Sequence, residues 1–124
     1  MAEILFKEES YKLIGLCMEV HRILGKGFKE VVYKDALEIE LKKANITFER
    51  EKRFQIEYKG IILPHQYFSD FVINGVIILE VKAVSTITDG FVTQTINYLK
   101  ASNIKLGIIV NFGEASLTHK RVVF

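Results

Sequence analysis

The chain has one cysteine, one proline and no apolar run longer than a strand, and each scarcity excludes something. A lone Cys17 rules out an intramolecular disulfide and any zinc site built from clustered cysteines. Its neighbours Leu16, Met18 and Val20 mark it as a small core residue. The apolar runs fall short of the roughly 20 residues a membrane helix needs. The opening MAEILFKEESYK is acidic where a signal peptide would continue apolar. Together these predict a cytoplasmic protein with no membrane partner. Charge of one sign is also scarce: the net charge is +2 and the pI near 8.6. A dedicated nucleic-acid binder usually shows a basic stripe and a pI above about 9, so the balance permits phosphate contacts without arguing for them. Lys42, Lys43, Arg50, Lys52 and Arg53 cluster in sequence but read as a solvated face. There is no repeat, low-complexity tract or linker.

What is present is 124 residues, 49% hydrophobic and 26% charged, which predicts one domain over 1–124 with a substantial core. Residues 6–24 carry Leu13, Ile14, Cys17, Met18, His21 and Leu24 at helical spacing, ended by Gly25. His21 on that stripe reads as a hydrogen-bonded core histidine. A second helix is expected from Gly27 to Ala44. It has one stripe of Glu30, Tyr33, Leu37 and Leu41 and another of Phe28, Val32, Ala36 and Ile39, so it should be covered on two sides. FEREKRFQIEY alternates as a half-exposed strand, Lys59-Gly60 turns the chain, and Pro64 marks an edge or a bulge in the next strand. Asn74-Gly75 is a further turn. A helix over 88–101, capped by Thr88 or Asp89, precedes the strands KLGIIVNF and HKRVVF. The predicted order is helix, helix, three antiparallel strands, helix, strand, strand.

Within FSDFVINGVIILEVKAV, the run from Val76 to Val84 is apolar on both faces, as in a doubly covered strand, except for Glu80 and Lys82. Stripping water from an isolated charge is costly, so something must hold them. Two apart on one strand, they leave the same face about 7 Å from each other. Asp70 from the preceding strand and Glu30 from a helix would complete an acidic triplet suited to Mg²⁺, which takes oxygen ligands and usually one or two carboxylates. Lys82 beside such an ion would act on a water and on phosphate charge. A Glu80–Lys82 ion pair is the plain alternative.

Asp70 followed, after nine residues, by Glu80-Val81-Lys82 resembles the D…ExK signature of the PD-(D/E)xK nuclease superfamily. Gly27-Phe28-Lys29-Glu30-Val31-Val32-Tyr33 is similar to the name motif of its GxxExxY branch, and Gln94 and Tyr98 fit that branch's later helix. The resemblance covers about residues 10–123. It implies an α/β restriction-endonuclease-like core, a mixed central sheet flanked by helices, and a Mg²⁺- or Mn²⁺-dependent hydrolase of nucleic acid. Asp70 and Glu80 would be metal ligands, the Val81 carbonyl a third, Lys82 would act at the nucleophilic water, Glu30 would be the nearby helix acid, and Gln94 a support. A nuclease-like module that binds nucleic acid or a protein without cutting, or an interaction module keeping the acids as a relic, are the alternatives. Ser69 stands where the superfamily name has proline, a position that ligates nothing, and Phe91 where relatives carry histidine. No base-reading motif separates DNA from RNA. So small a domain has little surface for gripping a duplex, which favours a homodimer or a larger partner.

The residues also carry plain readings. Glu30 three after Gly27 could be an N3 acid answering the helix dipole, and Gln94 and Tyr98, one turn apart, a simple hydrogen-bonded pair. Asp70 between Phe68 and Val72 has no evident structural purpose. Clustered carboxylates repel, so Glu80→Gln or Asp70→Asn should stabilise the metal-free protein. The site further depends on strand parity. A two-residue Asn74-Gly75 turn would put Asp70 opposite Leu79, on the wrong face. A three-residue loop Ile73-Asn74-Gly75 with left-handed Gly75 would pair Val72 with Val76 and Asp70 with Ile78, on the right one. A bulge anywhere between Asp70 and Glu80 would do the same, and the two-residue turn is expected not to form.

Overall fold

The computed structural model describes residues 5–124. In chain order the elements are α1 (Lys7–Leu24), α2 (Glu30–Lys43), β1 (Phe48–Tyr58), β2 (Ile61–Ile73), β3 (Ile77–Lys82), α3 (Asp89–Ser102), β4 (Leu106–Asn111) and β5 (Thr118–Val123). One five-stranded sheet runs in the order β1-β2-β3-β4-β5, antiparallel throughout except for the parallel pair β3–β4 that α3 connects. It is the expected mixed sheet flanked by helices, the restriction-endonuclease-like α/β core. Among the described residues no helix is long and apolar enough to cross a membrane.

The sheet is buried on both faces where it is shortest. On one face Leu13, Cys17 and Val20 of α1 and Tyr33, Leu37 and Leu41 of α2 pack on Phe71, Ile73, Ile77, Leu79, Val81, Ile108, Val110 and Phe112. On the other, Leu99 of α3 covers Val72, Ile78, Ile109 and Val122. Alternate residues of β3 therefore feed different cores, which is why its apolar run shows no period of two. Burial pushes the Cys17 thiol up to about 12, so it stays a protonated core residue. His21 is buried with Nε2 bonded to the Glu114 carbonyl at 2.9 Å, a structural histidine.

Two expectations need correction. Helix α2 starts later than Gly27, because Gly27 (φ 114) and extended Lys29 carry the chain into it; Glu30 is its first residue, not its third. Its second stripe is covered only in part: Val32 and Ala36 are half-buried, Phe28 and Ile39 are exposed, and the fully buried residues are Tyr33, Leu37 and Leu41. Pro64 does lie in a register break. Between Gln55↔Gln66 and Glu57↔Ile62, Ile56 alone faces Leu63, Pro64 and His65, so the missing N–H falls where the ladder is already interrupted.

Candidate active site

The β2–β3 turn sets the parity. Ile73 pairs with Ile77, leaving Asn74, Gly75 and Val76 as a three-residue loop with Asn74 (φ 52) and Gly75 (φ 69) left-handed and the Val76 N–H donating to the Ile73 carbonyl at 3.0 Å. The loop has the expected length and left-handed Gly75, but begins one residue later. Val72 therefore pairs with Ile78, and one step beyond the last pair, Phe71↔Leu79, Asp70 comes opposite Glu80 instead of Ile78. Asn74 tolerates the left-handed region, which a loop beginning at β-branched Ile73 would not need to use.

At Asp70 and Glu80 the backbone ladder between β2 and β3 gives way to side chains. Glu80 Oε2 accepts the Asp70 N–H at 3.1 Å and Asp70 Oδ2 accepts the Val81 N–H at 2.8 Å. Asp70 thus has a structural purpose, one its sequence neighbours did not show. Glu80 is buried, and burial, then the Asp70 charge, push its carboxyl up to about 8. Lys82 follows on the same face, yet no Glu80–Lys82 ion pair forms among the described residues. Its ammonium sits instead over the Phe91 ring, 4.5 Å from the centroid. The segment leaving Lys82 is clamped by buried Asn111, whose side chain accepts the Val84 N–H at 3.0 Å and donates to the Val84 carbonyl at 2.9 Å.

Two residues the sequence did not single out complete the arrangement. Phe48 packs on the α1/α2 side and Phe54, six residues on, on the α3 side; Phe71 packs on the α1/α2 side while Tyr67, four before it, stacks on Tyr98 of α3. Residues an even number apart should share a face, so both strands switch faces between these points. On β1 the left-handed Glu51 (φ 55) lies in this interval, and on β2 Asp70 does, where the register steps from Arg50↔Phe71 to Lys52↔Ser69. Lys34 of α2 bridges them, with Nζ 2.6 Å from Glu51 Oε1 and 3.2 Å from Asp70 Oδ1. Burial pulls the Lys34 ammonium down, but the two carboxylates outweigh it and leave its pKa raised. A signal for Lys34 existed: it is one helical turn past Glu30 and so on the same face of α2. For Glu51 there was none, since a positive φ inside a strand is not written in residue type.

The acidic triplet is not assembled. Among the described residues no three His, Cys, Asp or Glu side chains gather as a metal-holding group, so Glu30, at the start of α2, does not join Asp70 and Glu80. Gln94 does meet Tyr98, whose hydroxyl is pushed up by burial and by the Glu80 and Asp70 charges against the Gln94 hydrogen bond. Tyr98 stacks flat on Tyr67 (4.0 Å, 5°), and Tyr67 on Phe54 (5.2 Å, 18°), making an aromatic wall beside the acids. Tyr33, the motif tyrosine, is buried; its hydroxyl donates to the Gly25 carbonyl at 2.6 Å and accepts the Phe28 N–H at 3.2 Å, fixing the loop that delivers Glu30. Ser69 Oγ, beside Asp70, is buried and has no hydrogen-bond partner among the described residues.

Oxygen donors of this kind suit a hard divalent cation, which needs no more than two carboxylates and keeps its waters. A buried carboxyl protonated near neutral pH, such as Glu80, is one whose proton a cation would displace.

A family model for the PD-(D/E)XK nuclease superfamily matches residues 7–122. The chain is also similar to the crystal structure of SSO0001, with a TM-score of 0.61 and 19% identity over 76% of this chain and 50% of that one, a likeness of fold. This chain thus spans half the length of that protein. No curated protein matches the sequence.

Proposed function

The chain belongs to the PD-(D/E)XK nuclease superfamily, and from that premise we propose that it acts on nucleic acid and hydrolyses a phosphodiester bond with Mg²⁺ or Mn²⁺. Within the superfamily, Gly27, Glu30 and Tyr33 favour the GxxExxY branch. The observation that carries the reading is the meeting of Asp70 and Glu80 across β2 and β3 with Lys82 on the face of Glu80. These two carboxylates, with the Val81 carbonyl, would hold the cation. A bound divalent cation supplies charge stabilisation on the phosphate and a more acidic water. Lys82, held over the Phe91 face, offers an ammonium to the negative charge that develops on the phosphoryl oxygens. Asn111 restrains the backbone beyond it, so that this charge is placed before substrate arrives. Gln94, one helical turn before Tyr98 on α3, would support the aromatic wall beside Glu80.

A second reading, a nuclease-fold module that binds nucleic acid or a protein without cutting, is favoured by one specific observation. Asp70 Oδ1 is already taken by Lys34, and among the described residues no third acid stands with the pair. A nicking and cleavage assay on supercoiled plasmid, single-stranded DNA and RNA with Mn²⁺, controlled by Asp70→Ala, separates the two. Cleavage by the wild type alone supports hydrolysis; wild type indistinguishable from Asp70→Ala on all three leaves the binding module.

A further inference from the structure

Glu51 holds a left-handed backbone conformation that is strained for a non-glycine residue, in the middle of a strand where nothing about the turn of the chain requires it. Its effect is to bring the carboxylate to the α2 side, against Lys34. The ammonium then lies between two acceptors of different standing. Asp70 is 17% exposed and belongs to the acid pair; Glu51 is 47% exposed, lies closer to Lys34, and is free to follow the lysine outward. An ammonium bonded to Asp70 Oδ1 and a divalent cation on the same carboxylate repel each other strongly in so dry a place, so the two exclude one another.

Resting on the reading that Asp70 and Glu80 take up a divalent cation, we propose that Lys34 and Glu51 are positioning residues that set the affinity of that pair. Lys34 stands in for the cation at Asp70 while none is bound, and Glu51 is the acceptor onto which it withdraws when one arrives. The Lys34 ammonium keeps Asp70 oriented in the empty site, and the 2.6 Å contact with Glu51 means that it need shift only a little to release the aspartate. The strained conformation at Glu51 is what makes that second acceptor available.

The test is a double-mutant cycle read by calorimetric titration of Mn²⁺ into the full chain, with wild type, Lys34→Met, Glu51→Gln and the double variant. Removing the competitor in Lys34→Met should tighten Mn²⁺ by about threefold to tenfold, and Glu51→Gln, which leaves Lys34 only Asp70, should weaken it by a similar factor. In the Lys34→Met background the Glu51→Gln change should shrink below about twofold, because Glu51 then has nothing to receive. Equal weakening in both backgrounds would show Glu51 to be a nearby charge and no more, and would overturn the proposal, as would weaker binding in Lys34→Met. If a variant melts below the assay temperature, Lys34→Gln and Glu51→Asn replace it, asparagine being tolerant of the left-handed region. A wild type that binds no Mn²⁺ overturns both this and the hydrolase reading. Binding that is lost in Asp70→Ala but gives equal Glu51 effects in both backgrounds overturns only this one.

Discussion

The Glu80 carboxylate accepts the Asp70 amide while the Asp70 carboxylate accepts the Val81 amide, so each acid holds the other's strand where the sheet ladder stops. Both are therefore structural in the metal-free protein, and they differ in what else they touch. Asp70 has the Lys34 ammonium at 3.2 Å; among the described residues no ion pair reaches Glu80.

Stability should register that difference. Folded Glu80 titrates near 8 against 4.5 for a free glutamate, so between these values the folded chain keeps a proton that the unfolded chain releases. Metal-free stability is then full below the lower value and falls as pH rises toward 8. Glu80→Gln should flatten this slope and, at pH 8 in EDTA, stabilise by on the order of 1–2 kcal/mol. Asp70→Asn, which strips Lys34 of a partner, should leave the melting temperature at or below wild type, against the expectation from charge clustering alone. Melting curves from pH 5 to 8.5 decide it; a wild type equally stable across that range would refute the Glu80 assignment.

Lys82→Met should reduce any hydrolysis by about 100-fold or more while Mn²⁺ affinity changes little, since the ammonium serves the phosphate and does not ligate. Methionine also keeps an apolar chain against Phe91, so folding should be preserved. Calorimetry showing Mn²⁺ binding lost as completely as in Asp70→Ala would contradict this division of roles.

Tyr33→Phe should cost about 1–3 kcal/mol, because the Gly25 carbonyl and the Phe28 N–H lose a shared hydroxyl. The ring's stacking on Phe112, at 4.5 Å, is retained. Denaturant titration measures the loss, and Mn²⁺ affinity should stay within about twofold of wild type. A variant as stable as wild type would mean that the hydroxyl carries no structural load.

Gly113→Ala should be among the most damaging single changes, at about 3 kcal/mol or more, because an added Cβ would overlap the backbone of Ala83 and Val84. The Gly113 N–H also donates to the Asn111 side chain, so the clamp beyond Lys82 would be lost with it. Soluble expression with an unchanged melting temperature would show that the Ala83–Val84 segment can move aside.

The sequence by itself determined the element order, the doubly covered β3, the core placement of Cys17 and His21, and the need for an odd-length loop or a bulge between Asp70 and Glu80. These are local matters, carried by hydrophobic period, by glycine and asparagine at left-handed positions, and by the cost of burying charge. It also overextended α2, because a helical stripe continues through Phe28 whether or not the backbone does. Tertiary structure alone decided which acids meet. Glu30 and Lys34 share a face of α2, yet Lys34 reaches Asp70 and Glu30 does not join the pair. Glu51 is brought to Lys34 by a backbone flip that leaves no trace in composition. The physical reason is that side-chain parity along a strand is certain only while the strand stays regular. At Glu51 and Asp70 two neighbouring strands change faces together, and the cores packed on either side of the sheet decide where that happens.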